Sequence, residues 1–270
     1  MVIVEGIETW VREEPGNGVP VVFWHGNPTD GGDWAPFMER LARPSFAPDL
    51  PAFGRSGAPD PSAFDYSIDA YGRWAASFLD ELGVERYSLV VHDWGSIGLM
   101  PALANPERVE RIVVFNTVPF GVSYRWHLIA RMIWRRRGIG EALNALTPGT
   151  LVGLAAGQAR PGLRLMPADY RARIKRNWAR TEMRDAVLLL YRSASTAKLD
   201  EAGLNLELLD ASALFLWAED DPYIGTEDGR QMAARMPNAT FEAVENAGHW
   251  PWVDRPELID RAVEFLADPA

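Results

Sequence analysis

The sequence predicts a single-domain α/β protein: a mostly parallel central sheet flanked by helices, with a helical segment inserted after one strand. Three observations lead there. Short apolar runs of strand length alternate with stretches of helical periodicity over residues 19–115, which implies βαβ units and a shared parallel sheet. The rhythm breaks over about residues 119–206, where helical patterns rich in Arg, Leu and Ala contain no good strand, and it then resumes. No internal repeat or low-complexity linker divides the chain. The insertion is therefore expected to be a lid, with residues 1–118 and 207–270 as core and residues 119–206 as cap.

Residues 19–24 form a mostly apolar run ending at His25-Gly26-Asn27-Pro28, the pattern of a buried strand entering a loop. Residues 45–50 are a second strand, closed by Pro51. The loop Phe53-Gly54-Arg55-Ser56-Gly57 follows and lacks the lysine and spacing of a phosphate cradle. Helical periodicity over residues 68–82 stops at Gly83, a residue suited to the left-handed position after a helix. Residues 87–91 are a strand that passes without a gap into a helix-like segment, residues 94–104. Residues 109–115 are a further strand. After the insertion, strands are expected at residues 213–217 and 240–244, with helices at 227–236 and 256–266.

Composition narrows the class. The chain has 270 residues, 47% of them hydrophobic, enough for a large core. No apolar run approaches the ~20 residues of a membrane span, and the first residues lack a basic, signal-like start, so a cytoplasmic protein with no membrane partner is expected. The absence of cysteine excludes disulfides, thiolate metal sites and a cysteine nucleophile. A net charge of −10 argues against nucleic acid. That charge is uneven: residues 121–180 hold twelve Lys/Arg against two acids, Glu141 and Asp169. Such a segment reads as a solvated basic face, or as a lid that draws anionic substrates or products to a cleft. Eleven tryptophans suit a site for apolar compounds, or a core.

The chemistry centres on Val90-Val91-His92-Asp93-Trp94-Gly95-Ser96. A strand running straight into a helix, with a small residue two places on, builds the sharp turn that lifts a nucleophile above the end of a sheet. The helix start supplies free N–H groups. Asp93 stands where a serine is usual. A carboxylate attacking an ester would give an anhydride, whereas displacement at saturated carbon gives a plain ester that water can hydrolyse. Asp93 thus points to cleavage of C–halogen or strained C–O bonds; taken alone it would be a helix cap. Ser96 is expected to be an ordinary helix residue.

His249, in Glu245-Asn246-Ala247-Gly248-His249-Trp250, follows the last strand and is the expected base. Its orienting acid is expected at the end of Leu214-Phe215-Leu216-Trp217-Ala218-Glu219-Asp220-Asp221-Pro222. Asp221 is preferred, with Asp220 as runner-up. The other place for such an acid, after the preceding strand, holds Asn116, which bears no charge. The backbone N–H groups of Asn27 and Trp94 are expected to form an oxyanion hole, and their side chains offer donors to a departing halide. No cluster has metal-ligand spacing, and no cofactor is implied.

His25-Gly26-Asn27-Pro28-Thr29, His92-Asp93-Trp94-Gly95-Ser96 and Asn105-Pro106-Glu107-Arg108-Val109 together resemble the haloalkane dehalogenase family of the α/β-hydrolase fold. The resemblance implies Asp93 as nucleophile, His249 as base and Asn27 with Trp94 as halide-binding pair. It also implies the branch that keeps its acid at Asp221, some relatives of which open β-lactones. In the lid, Leu190-Tyr191-Arg192-Ser193 is similar to the segment that supplies a tyrosine in epoxide hydrolases, with Tyr124 or Tyr170 as a second. The expected function is a two-step hydrolase acting on a small apolar or weakly anionic organic substrate and water. C–halogen cleavage leads, epoxide or β-lactone opening with lid tyrosines is the alternative, and a catalytically silent small-molecule binder is the third reading.

Overall fold

The computed structural model describes residues 1–155 and 165–267. Its strands are β1 (Val2–Val4), β2 (Ile7–Thr9), β3 (Val11–Glu14), β4 (Val21–Trp24), β5 (Ser45–Pro48), β6 (Tyr87–Asp93), β7 (Val109–Thr117), β8 (Ser212–Ala218) and β9 (Ala239–Val244). β1 and β2 form a separate antiparallel hairpin. The other seven make one sheet in the order β3-β5-β4-β6-β7-β8-β9, parallel except for β3, which runs antiparallel to β5. The apolar runs are continuous rather than alternating because both faces are covered. Val22 and Trp24 of β4 belong to the core on one face, and Val21 and Phe23 to the core on the other. Leu89 and Val91 of β6 are divided from Val90 in the same way.

The helices are α1 (Ala35–Met38), α2 (Ile68–Glu81), α3 (Leu99–Ala104), α4 (Ile139–Leu146), α5 (Gly149–Ala155), α6 (Ala168–Ala179), α7 (Thr181–Ser193), α8 (Thr196–Ala202), α9 (Thr226–Ala233), α10 (Pro251–Asp254) and α11 (Glu257–Ala267). α2 begins where Ser67 Oγ accepts from the Ala70 N–H, satisfying one free donor of the first turn. It ends before Gly83, at φ +63°, as the sequence predicts. The predicted helix after Asp93 is divided into a tight 3₁₀ turn, Trp94–Gly98, and then α3. Between β7 and β8 the described residues hold α4 to α8 and no strand; residues 156–164 of the predicted lid lie outside the described residues. No helix among the described residues is long and apolar enough to cross a membrane.

Further features depart from expectation. β1, β2 and the antiparallel β3 were not anticipated: each has three or four residues, too few for a period of two to register. β6 and β7 each run two residues beyond their predicted ends, to Asp93 and Thr117. The chain leaves β4 toward β5 and returns to β6 on the other side of β4. A reversal of that kind opens a crevice at the carboxyl ends of the strands, where the loop after β4 faces the end of β6.

Candidate active site

Four loops meet at that edge, following β4, β6, β8 and β9. Asp93 ends β6 in a conformation that L-residues rarely adopt, φ 49° and ψ −122°, which costs about 1–3 kcal/mol. Its carbonyl is held by the Val118 N–H at 2.9 Å and by Thr117 Oγ1 at 2.8 Å. The turn also demands glycine on two sides. A Cβ on Gly95 would lie 2.0 Å from the Trp24 carbonyl oxygen, and one on Gly26 2.3 Å from Asp93 Oδ1.

The predicted residues come together here. Asp93 Oδ1 accepts from the Asn27 backbone N–H at 2.7 Å, and Asp93 Oδ2 lies 3.4 Å from His249 Nε2. His249 Nδ1 is 2.7 Å from Asp221 Oδ2. Asp221, rather than Asp220, therefore makes the bond to the imidazole. Asp221 Oδ1 accepts from the N–H groups of Tyr223 and Ile224. Asn116 Nδ2 donates to Asp221 Oδ2 at 2.8 Å, while Asn116 Oδ1 accepts from the Ala218 N–H.

Burial sharpens the electrostatics. Burial alone would lower the pKa of His249, but Asp221, through its charge and hydrogen bond, and then Asp93 push it up to about 10. Burial raises the pKa of Asp93, but its hydrogen bond to His249, the charges of His249 and His92, and the Asn27 N–H bring the net shift below the ordinary carboxylate value. His92 is pushed by burial down to about 3; it stays neutral and donates Nε2–H to the His249 carbonyl at 2.7 Å. His25, lowered by burial to about 4, accepts the Leu50 N–H on Nε2 and donates from Nδ1 to the Gly26 carbonyl. Both histidines of the loop motifs thus brace backbone beside the site.

Above these groups lies a cavity of about 250 Å³. Asn27, Asp93 and His249 reach it from the core, and Trp126, His127, Trp134 and Tyr191 from the inserted segment. Its wall is mostly apolar and aromatic, the usual dress of a pocket for small organic molecules.

A family model for the α/β hydrolase fold matches residues 19–256. The haloalkane dehalogenase of Mycobacterium marinum is 30% identical over 95% of this chain and 87% of its own length. The chain belongs to the haloalkane dehalogenase family of α/β-hydrolases. It is a hydrolase. The cis-3-alkyl-4-alkyloxetan-2-one decarboxylase of Xanthomonas campestris is 26% identical over 96% of this chain and 92% of its own length. Among solved structures, haloalkane dehalogenase DatA from Agrobacterium tumefaciens superposes with a TM-score of 0.82 at 24% identity, covering 96% of this chain and 92% of that one. At that identity the likeness speaks for the fold.

Within this dehalogenase-family site, the remaining expected residues fare unevenly. Trp94 is fully buried with its side chain beside the Tyr191 hydroxyl, but it does not line the cavity. Trp126 stacks on it at 5.5 Å and the Tyr191 ring meets it edge-on at 4.9 Å. Tyr191 lines the cavity, and burial holds its hydroxyl well above the usual pKa, so it stays protonated. Tyr124 also lines it, but its hydroxyl donates to the Tyr223 carbonyl. Tyr170 is not part of the wall; its hydroxyl donates to the Asp33 carbonyl and accepts from Trp252. Two facing tyrosine donors are not assembled from the three candidates. Sequence reasoning missed His127 and Tyr223: their rings lie 5.2 Å apart, and Tyr223 lies 5.0 Å from His249. A histidine in an aromatic-rich lid segment was the only signal available.

Proposed function

We propose that the protein cleaves carbon–halogen bonds in small apolar organic halides through an ester on Asp93. The observation that carries this reading is the position of one carboxylate, ionised and held by Asn27 and His249, on the floor of an aromatic cavity. An Asp93 oxygen displaces halide from saturated carbon, giving an ester and a free halide ion. The ester no longer carries the Asp93 charge, so His249 loses part of what raised its pKa and sheds a proton to solvent. Neutral His249 then takes a proton from water as that water attacks the ester carbonyl. The Asn27 N–H supports the oxyanion, and collapse returns the Asp93 carboxylate and releases the alcohol. Asp221 orients the imidazole and balances its charge. In this reading the side chains of Asn27 and Trp94 receive the leaving halide, and residues 119–206 act as the cap on a core of residues 1–118 and 207–270.

A second reading keeps the same groups but opens a four-membered lactone or an epoxide, and one observation favours it. Tyr191 presents a neutral phenol to the cavity beside Trp94, a donor suited to an oxygen leaving group. His249→Phe distinguishes the readings, because the ester can form but not be hydrolysed. Intact mass after exposure to a haloalkane should increase by the alkyl group, with free halide in equal amount. An adduct from a β-lactone or epoxide alone would move the protein to the second reading, and no adduct from any of them would leave a silent binder.

A further inference from the structure

Exposed apolar side chains are concentrated on one part of this molecule. Among the described residues, nine of the thirteen large exposed hydrophobics fall between residues 128 and 165. Leu128 (68% exposed) and Met132 lie one turn apart, and Ile139, Leu143 and Leu146 (77% exposed) share one face of α4. Leu143 and, on α5, Leu151 also line the cavity. The cavity therefore opens among these exposed side chains. Monomers rarely leave such a concentration of apolar surface without a use for it.

The same surface is cationic. Residues 125–155 contain five arginines and one acid, Glu141, and Glu141 is already engaged by Arg192 at 2.6 Å. Arg125, Arg131, Arg136 and Arg137 are exposed. Outside residues 121–180 the chain is strongly acidic, so the molecule is electrically polarised with the positive end at the cavity mouth. A second copy pressing the same face would bring its own arginine surplus against this one, which opposes isologous pairing. An anionic lipid surface meets both properties at once: headgroups for the arginines and an acyl boundary for the leucines.

We propose that the face formed by residues 125–155 rests on anionic lipid bilayers, so that apolar substrate passes from the membrane through the cavity mouth. This goes beyond the reaction assigned above and holds whichever bond is cleaved. The contact is peripheral: helices lie on the surface, and none among the described residues is long and apolar enough to cross it.

The test is sedimentation of the full-length protein with phosphatidylcholine vesicles, with and without phosphatidylglycerol. Binding should require phosphatidylglycerol and weaken with salt. Arg131→Glu with Arg136→Glu should weaken it about tenfold or more, and Leu128→Asp with Leu146→Asp should weaken it to a similar degree. None of these residues lines the cavity, so turnover of a small water-soluble substrate should be unchanged, which also reports correct folding. Failure to bind either vesicle, or equal binding to both, overturns the proposal. Concentration-dependent dimers that the leucine variants abolish, with no vesicle binding, would assign the face to a second copy and overturn it too.

Discussion

Asn116 Nδ2 lies 2.8 Å from Asp221 Oδ2, the same oxygen that accepts from His249 Nδ1 at 2.7 Å. The residue that bears no charge at the alternative acid position is thus a partner of the acid itself. It shares that carboxylate oxygen with His249. Asn116→Leu should cost about 1.5–3 kcal/mol, the range for a hydrogen bond to a charged group, because the buried Ala218 N–H also loses its acceptor. Thermal melting checks that figure. Single-turnover kinetics should show the ester step slowed more than its formation. Asn116→Asp can donate to Asp221 only while protonated, so its activity should decline with rising pH where that of the parent does not.

The pKa of His249 is raised jointly by Asp221 and Asp93. Asp93→Asn removes one of the two charges and imitates the neutral ester. Titration of the imidazole by NMR should place His249 in this variant clearly below the value of about 10 that it has beside two carboxylates. An unchanged His249 would mean that Asp221 alone sets it, and the proposed release of the base on ester formation would fail.

A buried ion-pair cluster ties α6 to the loops after β4 and β9. Arg173 of α6 meets Asp30 Oδ1 at 2.7 Å and Asp33 Oδ1 at 2.8 Å. Asn177 donates to Asp30, and Trp250, next to His249, donates to Asp33. Burial raises Asp33 from 3.8 to about 6 against the pull of Arg173. For an acid raised in the folded state, the stability cost is absent below the unfolded value and fully present above the folded one. Arg173→Met strips both acids of their cation, so both folded values climb and the cost grows as pH rises. The variant should lose about 3–5 kcal/mol near neutral pH and distinctly less at about pH 5. Urea unfolding at the two pH values measures the difference; an equal loss at both would mean that the acids are not ionised in the parent.

Legibility followed the range of the physics. β4, β6 and β7 announce themselves because both faces are buried and the apolar run is unbroken. The turn at Asp93 is legible because Gly95 leaves a local mark. The hairpin and β3 are short, edge-bound and half polar, and Arg12, Glu13 and Glu14 in β3 look like loop residues. The Arg173 cluster joins residues more than a hundred positions apart, and in the sequence Arg173 is one of twelve cations that read as a solvated face. The site was legible as residue types after strand ends; which side chains line the cavity was not, since Tyr191 reaches Trp94 only through the packing of α7.

That packing separates the two chemical readings. Trp94 is buried behind Trp126 and Tyr191, both of which line the cavity, and the Tyr191 hydroxyl lies beside it. If halide leaves against Trp94, Tyr191 must yield slightly as it does so. Trp94→Phe should then slow halide release at least about tenfold, since one preorganised donor contributes of that order or more, while ring packing against Trp126 is retained. Tyr191→Phe keeps the ring and removes only the hydroxyl, so halide release should remain within a few-fold of the parent. For an oxygen leaving group, the alkoxide of an epoxide or the carboxylate of a β-lactone, the pattern reverses: Tyr191→Phe leaves the departing oxygen without its hydrogen-bond donor and Trp94→Phe is nearly silent. Burst-phase kinetics on a bromoalkane and on a β-lactone, run side by side on both variants, read the leaving group directly. Large losses with the bromoalkane in both variants would place the Tyr191 hydroxyl in the halide site and end the view that it is a bystander there.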